Sequence, residues 1–362
     1  MNFLDKNLSE MRKDCYIQDK LVLIPNNADK NEVLLEILQQ NKKIVNINDK
    51  KNCPYCPGNK QHSDQLVLSF VFKDGILQRL YDSQDGVNEN WTIRIFECKN
   101  PIVTTSPNHE YSDKPYYREP AYGYDLIVIP TPQHNISLTD LSVEQWTNLL
   151  LVLQDRVRWL YSQRGVTYVA IYASRGSDIG NTINHPHFHI TTFSSIPPVI
   201  EKEAKTFHQM MNENGNCPAC NMIESELNGP RQLFSTAHFI TLVPWAPTYN
   251  CEFWICPRKH STFFSKISQK EISDLSLVIC SSMRGMDNVL GKIDFSIAFH
   301  ISPEKKNSKQ LHWHIEIYPL ITSWSGLERG FGIFVNLPNP EYSAEILGSA
   351  SRKELAHLMG IV

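Results

Sequence analysis

Short runs in which apolar and polar residues alternate are spaced along the chain, and two longer apolar stretches lie between them. Alternation is typical of β-strands, because successive side chains of a strand point to opposite faces. The runs predict strands at 91–96, 124–130 and 168–172, with similar apolar runs at 239–244, 295–300 and 312–317. Each longer stretch begins with a capping box, at Ser142 and at Ser268, which predicts a helix in each place. The pattern therefore indicates an α+β fold.

Another predicted strand carries three histidines at alternate positions, His185, His187 and His189, and leads into the run Ile190–Phe193. The period of two in a strand places the three imidazoles on one face. Each of these polar rings needs a polar partner when it is buried, so the row favours a functional site over a core. Two chemistries use such a row: metal binding, and a histidine that acts as nucleophile or proton carrier.

Two Cys-Pro-x-Cys pairs have the spacing of metal-binding knuckles, one at 53–56 and one at 217–220. After each pair the chain has a lone histidine, a capped helix and a histidine row, in the same order. The lone histidines, His134 and His260, lie 51 and 52 residues before their respective rows. This shared order predicts an internal duplication.

Two thiols and two imidazoles complete a tetrahedral zinc site. The shared order assigns the ligands of the two sites as Cys53, Cys56, His134 and His185, and as Cys217, Cys220, His260 and His312. Four protein ligands leave no position for water, so both zinc ions are expected to be structural. His109 is a rival ligand of the first site, but its segment has no counterpart in the second half.

Length and charge narrow the classes of function. The 362 residues favour two domains, which the repeat places at 1–200 and 201–362. A formal net charge of -3 without a long basic run argues against nucleic acid as a partner. The N-terminus lacks the apolar core of a signal peptide and no apolar run is long enough to span a bilayer, so a cytoplasmic location without membrane contact is expected. The nine cysteines, an odd number, argue against a disulfide framework.

The combination of Cys-Pro-Tyr-Cys-Pro-Gly-Asn at 53–59 with His-Pro-His-Phe-His at 185–189 resembles the galactose-1-phosphate uridylyltransferase family. That family is the transferase branch of the histidine-triad superfamily, with ADP-glucose phosphorylase and the diadenosine tetraphosphate phosphorylases as near relatives. Weaker matches at 12–14 and 326–336 extend the resemblance over nearly the whole chain. It implies tandem histidine-triad-like units, each an antiparallel sheet with packed helices and a zinc knuckle, in a homodimer.

The resemblance also implies a covalent mechanism. In the family, the middle histidine of the row attacks the α-phosphorus of a nucleotide sugar and releases a sugar 1-phosphate, and a phosphorylated acceptor then takes the nucleoside monophosphate. This role falls on His187, and it implies a nucleotidyltransferase that moves UMP between a nucleotide sugar and a hexose 1-phosphate by ping-pong kinetics. In the second half Glu316 replaces the third histidine, so 201–362 is interpreted as a degenerate, structural unit.

Positions that match the family's binding motifs imply the substrate-binding residues Cys98, Ser174, Arg175, Gly176, Gly180 and Thr182. The glycine-rich loop is expected to bring backbone N–H groups and the Arg175 guanidinium to the phosphate oxygens. Some of these positions depart from the family pattern, because Cys98 and Ser174 stand where Asn is usual and Thr182 stands where Ser is usual.

His189 departs in a chemically more important way, because the transferases and phosphorylases usually have Gln there. We assign it a catalytic role: a protonated His189 can stabilise the phosphate, or the side chain can help water to attack the intermediate. The alternatives are a phosphorylase or hydrolase of an ADP-sugar or dinucleoside polyphosphate, and a non-catalytic, zinc-stabilised nucleotide-binding protein. His300 is interpreted as a hydrogen-bonded core histidine, and 326–332 as a loop.

Overall fold

The alternating runs form two β-sheets in a computed structural model of the chain. The structure describes residues 10–14, 20–24, 50, 53–57, 66–80, 90–106, 119–176, 185–307 and 310–361. Its strands are β1 (Glu10–Asp14), β2 (Lys20–Ile24), β3 (Leu66–Lys73), β4 (Ile76–Leu80), β5 (Ile93–Glu97), β6 (Asp125–Ile129), β7 (Tyr168–Arg175), β8 (Phe188–Phe193), β9 (Gln232–Ser235), β10 (Phe239–Leu242), β11 (Phe253–Pro257), β12 (Phe295–His300), β13 (His314–Pro319) and β14 (Ile333–Val335).

Six α-helices are found in the described part of the chain. They are α1 (Val143–Ser162), α2 (Pro198–Asn214), α3 (Pro218–Glu226), α4 (Gln269–Leu290), α5 (Gly326–Phe331) and α6 (Pro340–Leu358). Within the same residues, no helix has both the length and the apolar content that crossing a membrane requires. The mixture of helices with antiparallel sheet confirms the predicted α+β class.

The larger sheet has eleven strands in the order β4-β3-β5-β6-β8-β7-β12-β13-β11-β10-β9. Every neighbouring pair in it is antiparallel. The smaller sheet, β1-β2-β14, joins the start of the chain to its end. Because β7 pairs with β12, with Tyr172 opposite Ala298, the large sheet continues across the predicted domain boundary. That boundary and the internal duplication stay predictions.

Both predicted capping boxes are present. The Ser142 hydroxyl accepts from the N–H of Gln145 while the Gln145 side chain accepts from the N–H of Ser142, and Ser268 opens α4 in the same way with Glu271. Helix α1 covers one face of the central strands. Its Trp146 meets Phe188 of β8 edge-on, with ring centroids 5.9 Å apart. The neighbours of Phe188 in sequence therefore point to the opposite face.

Two local predictions need correction. The stretch 326–332, predicted to be a loop, contains the short helix α5, which Ser325 caps together with Glu328. Strand β8 begins at Phe188, so the first two histidines of the row lie just before the strand. The reason is that Pro186 has no backbone N–H to donate to a neighbouring strand, and the carbonyl of His185 accepts from His187 instead.

Candidate active site and metal centres

The first cysteine pair lies beside the segment that enters β8. The Sγ atoms of Cys53 and Cys56 are 3.6 and 3.7 Å from Nδ1 of His185. His134 completes this buried group, whose ligand atoms all lie within 4.8 Å of one another. Nε2 of His185 donates to the carbonyl oxygen of Thr131 at 2.8 Å. That hydrogen bond fixes the tautomer and leaves Nδ1 as the atom that can bind a metal.

The geometry of this group fits zinc. A tetrahedral ion with Zn–S near 2.3 Å and Zn–N near 2.05 Å holds sulfur and nitrogen about 3.6 Å apart, which is close to the two distances from His185. Burial, followed by the neighbouring Cys53, raises the pKa of Cys56 to about 12. Because of this raised pKa the Cys56 thiol keeps its proton near pH 7, and a bound cation would have to displace it. Bound there, zinc would supply structure, because four ligands leave it no open position.

The second cysteine pair opens helix α3. Cys217 is its N-cap and Cys220 lies in its first turn. Nδ1 of His312 is 3.8 and 3.5 Å from the two sulfurs, and Nδ1 of His260 is 3.6 Å from Sγ of Cys220. Nε2 of His312 donates to the carbonyl of Pro257. This group also fits zinc but reaches the surface, since His260 is exposed and Cys220 is half-buried.

A third group that can hold a metal ion consists of Glu203, His300, His314 and Glu316, all buried. Nδ1 of His300 is 2.9 Å from Glu203, and Nε2 of His314 is 3.2 Å from Glu316. His300 is thus the buried, hydrogen-bonded histidine that the sequence suggested, but it belongs to a cluster that the sequence did not reveal. Glu203 lies on α2, far in sequence from β12 and β13, which carry the other three residues. No local motif predicts its part in the cluster.

His187 has the geometry of a nucleophile. Its Nδ1 donates to the carbonyl oxygen of His185 at 2.7 Å, so the lone pair lies on Nε2. Burial lowers the pKa of His187, which keeps the imidazole neutral near pH 7. The ring of Tyr55, from between the two cysteines, lies 6.0 Å from the His187 ring and 6.2 Å from the His185 ring. Tyr55 therefore connects the first cysteine and histidine group with His187.

His189 lies next to His187 on the same face. The two imidazoles meet edge-on with centroids 5.0 Å apart. The ring of Tyr172, from β7, stacks on His189 at 5.0 Å with 9° between the planes. Burial, followed by the proximity of His187, lowers the pKa of His189 to about 4, against a smaller raising effect of Asp125. The side chain is therefore neutral near pH 7, which favours its expected role towards water over that of a protonated phosphate ligand.

Cys98 lies beside this face. It packs against the cluster that contains Tyr55 and Ile127, and Ile127 is directly opposite His189 in the sheet. The Cys98 N–H donates to the backbone carbonyl of Asp125 at 2.9 Å, and burial is the largest cause that raises the pKa of the thiol. The position suits a wall of a substrate pocket, with a protonated thiol in place of an amide.

The end of β7 sends alternate side chains to opposite faces. Ser174 continues the face of Tyr172, and its hydroxyl lies 3.0 Å from that of Ser296. Arg175 points to the helix-covered face, where it forms an ion pair with Asp287 at 3.1 Å and donates to Ser137 at 2.8 Å. The guanidinium is thus bound to α4 and does not face His187. This differs from the expected phosphate contact, and the cause is the period of two in the strand.

Gly176 has a structural requirement of its own. Its φ is +128°, and a Cβ there would fall 1.9 Å from the carboxyl carbon of Asp294. The backbone conformation and the close approach both require glycine. Gly180 and Thr182 lie outside the described residues, as does the rival ligand His109, so their expected roles stay predictions.

Comparisons with known proteins identify the family of the chain. The model of the family described as galactose-1-phosphate uridyl transferase, N-terminal domain, matches residues 2–197. An ADP-glucose phosphorylase of Arabidopsis thaliana is 23% identical over 350 residues, which is 94% of this chain and 93% of the relative. A galactose-1-phosphate uridylyltransferase of Thermotoga maritima is 27% identical over 270 residues, which is 72% of this chain and 85% of the relative.

Solved structures show the same fold. The ADP-glucose phosphorylase from Arabidopsis thaliana with bound ADP-glucose superposes with a TM-score of 0.74 at 20% identity, over 94% of this chain and 98% of that chain. A uridylyltransferase mutant superposes with a TM-score of 0.72 at 23% identity, over 83% of this chain and 94% of that chain. The resemblance noted in the two sequence motifs is thereby confirmed for both the sequence family and the fold.

Proposed function

Because the chain belongs to the galactose-1-phosphate uridylyltransferase family, a family of nucleotidyltransferase enzymes, we propose that it transfers a nucleoside monophosphate through a covalent bond to His187. The group first expected is UMP, moved between a nucleotide sugar and a hexose 1-phosphate. The observation that supports this proposal best is the hydrogen bond from Nδ1 of His187 to the carbonyl of His185. It leaves a neutral Nε2 with its lone pair beside a half-buried polar face.

The chemistry follows from that tautomer. The Nε2 lone pair attacks the α-phosphorus, and the bond to the sugar 1-phosphate breaks with its electron pair on the departing oxygen. The imidazole becomes positively charged, and the His185 carbonyl that accepts its Nδ1–H stabilises this charge. An acceptor then attacks the same phosphorus, and the P–N electron pair returns to His187. Zinc held by the first group would fix His185, and with it the carbonyl that orients the nucleophile.

A second candidate has a specific observation in its favour. The Arabidopsis ADP-glucose phosphorylase matches this chain along nearly the full length of both proteins, and His189 replaces the usual Gln. Under this candidate the nucleotide sugar is an ADP-sugar and the acceptor is inorganic phosphate or water. Both candidates use the same covalent step on His187, so one experiment separates them.

The test is intact-protein mass spectrometry after brief mixing with UDP-glucose, UDP-galactose, ADP-glucose or diadenosine tetraphosphate, without acid, because phosphoramidates are acid-labile. We expect an added mass of UMP with a UDP-sugar; an added mass of AMP would select the second candidate. His187→Asn is the control and should carry neither adduct. An adduct of the same size in His187→Asn, or no adduct and no substrate loss with any of the four compounds, contradicts the proposal. The non-catalytic alternative predicts the latter result.

Zinc in the two Cys2His2 groups, a homodimer and a cytoplasmic location are further parts of the proposal. The donor sets and their distances support zinc. Metal analysis of the purified chain and its mass in solution test the first two, and localisation of the tagged chain tests the third.

A further inference from the structure

The imidazole of His189 is held in place by contacts with two other rings, those of Tyr172 and His187. Tyr172 lies directly opposite it in the β7–β8 pair, and the two rings are stacked at 5.0 Å and 9°. The edge of the His187 ring provides the second contact. Among the described residues, no group forms a hydrogen bond with the His189 nitrogens, so both remain open to substrate, acceptor or water. The plane of the imidazole is therefore set by stacking.

Tyr172 is itself fixed at its far end. Its hydroxyl lies 3.4 Å from Oγ1 of Thr191, and Thr191 donates to Oδ1 of Asp125 at 3.1 Å. The other carboxylate oxygen of Asp125 accepts from the N–H of Ile102 at 3.0 Å. These contacts connect the Tyr172 ring, on which the His189 imidazole stacks, to β6 and to the segment that follows Cys98. A change in the Tyr172 ring would release the imidazole while leaving the nucleophile's own hydrogen bond intact.

We propose that Tyr172 is a positioning residue that holds His189 for attack of water on the nucleotidyl group bound to His187. The inference rests on the proposed function. A sugar phosphate oxygen is already anionic and attacks without losing a proton, whereas water must lose one. The water oxygen forms the new O–P bond, its proton moves to a neutral nitrogen of His189, and the P–N bond breaks with its electron pair returning to His187. With His189 held by Tyr172, water can therefore hydrolyse the intermediate. An amide at position 189 could not take up the proton of the water.

The structure offers a contrast within the same sheet. On the side towards the centre of the sheet, the strand residue opposite Glu316 is Ala298 and the one opposite His189 is Tyr172; on its other side Glu316 has Trp254 opposite it. Glu316 is held by polar partners, His314 and Tyr318. Trp254 stacks on the imidazole of His314, with ring centroids 4.9 Å apart and 28° between the planes, so in both halves the stacked aromatic ring accompanies an imidazole and not the carboxylate.

The test is a double-mutant cycle on the decay of the preformed adduct. The variants are Tyr172→Phe, Tyr172→Ile, His189→Gln and Tyr172→Ile with His189→Gln. Decay is followed by intact mass in buffer alone and with a sugar 1-phosphate. We expect Tyr172→Ile to slow decay in water about tenfold and decay by the sugar phosphate less than about threefold. Tyr172→Phe, which keeps the ring, should stay near wild type, and Tyr172→Ile should add nothing once His189 is Gln.

Three results would overturn the inference: equal slowing of both decays, a further loss in the His189→Gln background, or a Phe variant as slow as Ile. Thermal midpoints show whether each variant is folded. If Tyr172→Ile is not folded, Tyr172→Leu replaces it as the variant without the ring and is compared with Tyr172→Phe. If the wild type holds no adduct and consumes no substrate, the covalent mechanism itself fails. If it holds no adduct but consumes the nucleotide sugar, the intermediate decays as fast as it forms, and the same cycle is measured on steady-state hydrolysis. A positioning residue then gives losses that are non-additive with those of His189→Gln and that Tyr172→Phe does not reproduce.

Discussion

Carbonyl oxygens decide the tautomers of the first two histidines in each row. His185 and His312 each give their Nε2–H to a backbone carbonyl, so each turns Nδ1 to a cysteine pair. His187 and His314 each give their Nδ1–H to the carbonyl two residues before them. The rows differ in what Nε2 then meets: in the second row it lies 3.2 Å from the carboxylate of Glu316. A nitrogen bound to a carboxylate is not available to attack phosphorus, which supports the structural interpretation of the second row.

At the same scale, His189 makes stability depend on pH. Burial lowers its pKa to about 4, below the value of about 6.5 in the unfolded chain. The unfolded chain therefore binds the proton more readily, and the protein loses stability as the pH falls from about 6.5 towards 4. At pH 5 the loss is about 2 kcal/mol. His189→Gln should not show this loss. Its thermal midpoint relative to that of wild type should therefore be a few degrees higher at pH 5 than at pH 7.5.

The comparison of the two proteins removes other acid effects, because the cysteine and histidine metal groups are the same in both. The measurement is the difference in thermal midpoint between variant and wild type, recorded at both pH values. A difference that does not change with pH would mean that His189 titrates normally and is not shielded by its neighbours.

The sequence could predict residues whose function depends on a local motif. The cysteine pairs, the histidine row and both capping boxes are of this kind, and the structure places the eight proposed ligands in two groups. Tyr172 and Glu203 were missed because their importance depends on which strands pair and where a helix crosses the sheet. The predicted strand ended at Tyr172 and left Ser174 to the following loop, whereas β7 runs to Arg175, so that Tyr172 and Ser174 share a face; no local pattern says that this face meets His189.

At the scale of elements, Arg175 joins β7 to α4. Its partner Asp287 also accepts from the hydroxyl of Thr139 at 2.5 Å and lies 2.9 Å from Lys292. The carboxylate thus connects the turn before α1 with the end of α4. These contacts lie on the helix-covered face of β7, whereas Tyr172 and Ser174 lie on its other face. They therefore hold the strand at the edge of the site in position.

This arrangement predicts that Arg175 and Asp287 act as a pair. The ion pair is largely buried, so Arg175→Ala and Asp287→Ala should each lower the free energy of unfolding by about 2 kcal/mol and be non-additive when combined. Both should change KM for the nucleotide sugar to the same small extent. Urea unfolding and steady-state kinetics measure the two effects.

A matched control is the ion pair of Arg79 with Asp155, which has the same 3.1 Å distance but lies at the surface. Arg79→Ala should change stability by less than about 1 kcal/mol. If Arg175→Ala raises KM strongly while Asp287→Ala leaves it unchanged, the guanidinium binds substrate phosphate after all, as the family resemblance implied.

For the whole molecule, the sheet places the two rows on one continuous surface. A single row of facing residues crosses it, made of Ile127, His189, Tyr172, Ala298, Glu316 and Trp254. The first half contributes the proposed nucleophile, His187, with its neighbour His189, and the second half contributes a buried cluster of histidines and carboxylates. The metal groups then differ in access, because the first is buried and the second reaches solvent through His260.

If both groups hold zinc as proposed, their unequal access predicts that a chelator removes the two ions at different rates. Transfer of zinc to 4-(2-pyridylazo)resorcinol should show a fast phase from the group at Cys217 and Cys220 and a slow phase from the group at Cys53 and Cys56. Protein recovered after the fast phase should still form the adduct on His187, because the metal that fixes His185 is retained. Protein recovered after the slow phase should not, since the carbonyl that orients the nucleophile is then released.

Variants assign the phases. Cys220→Ser should lack the fast phase and Cys56→Ser the slow one, with total zinc falling by one equivalent in each. An equivalent that persists when both are replaced would come from the group of Glu203, His300, His314 and Glu316, the further set of donors in the described part of the chain that can hold an ion. A fast phase that persists in Cys220→Ser but disappears in Cys56→Ser would reverse the assignment. Adduct formation that survives both phases would mean that protein packing alone, such as Tyr55 against His185, keeps the nucleophile in place.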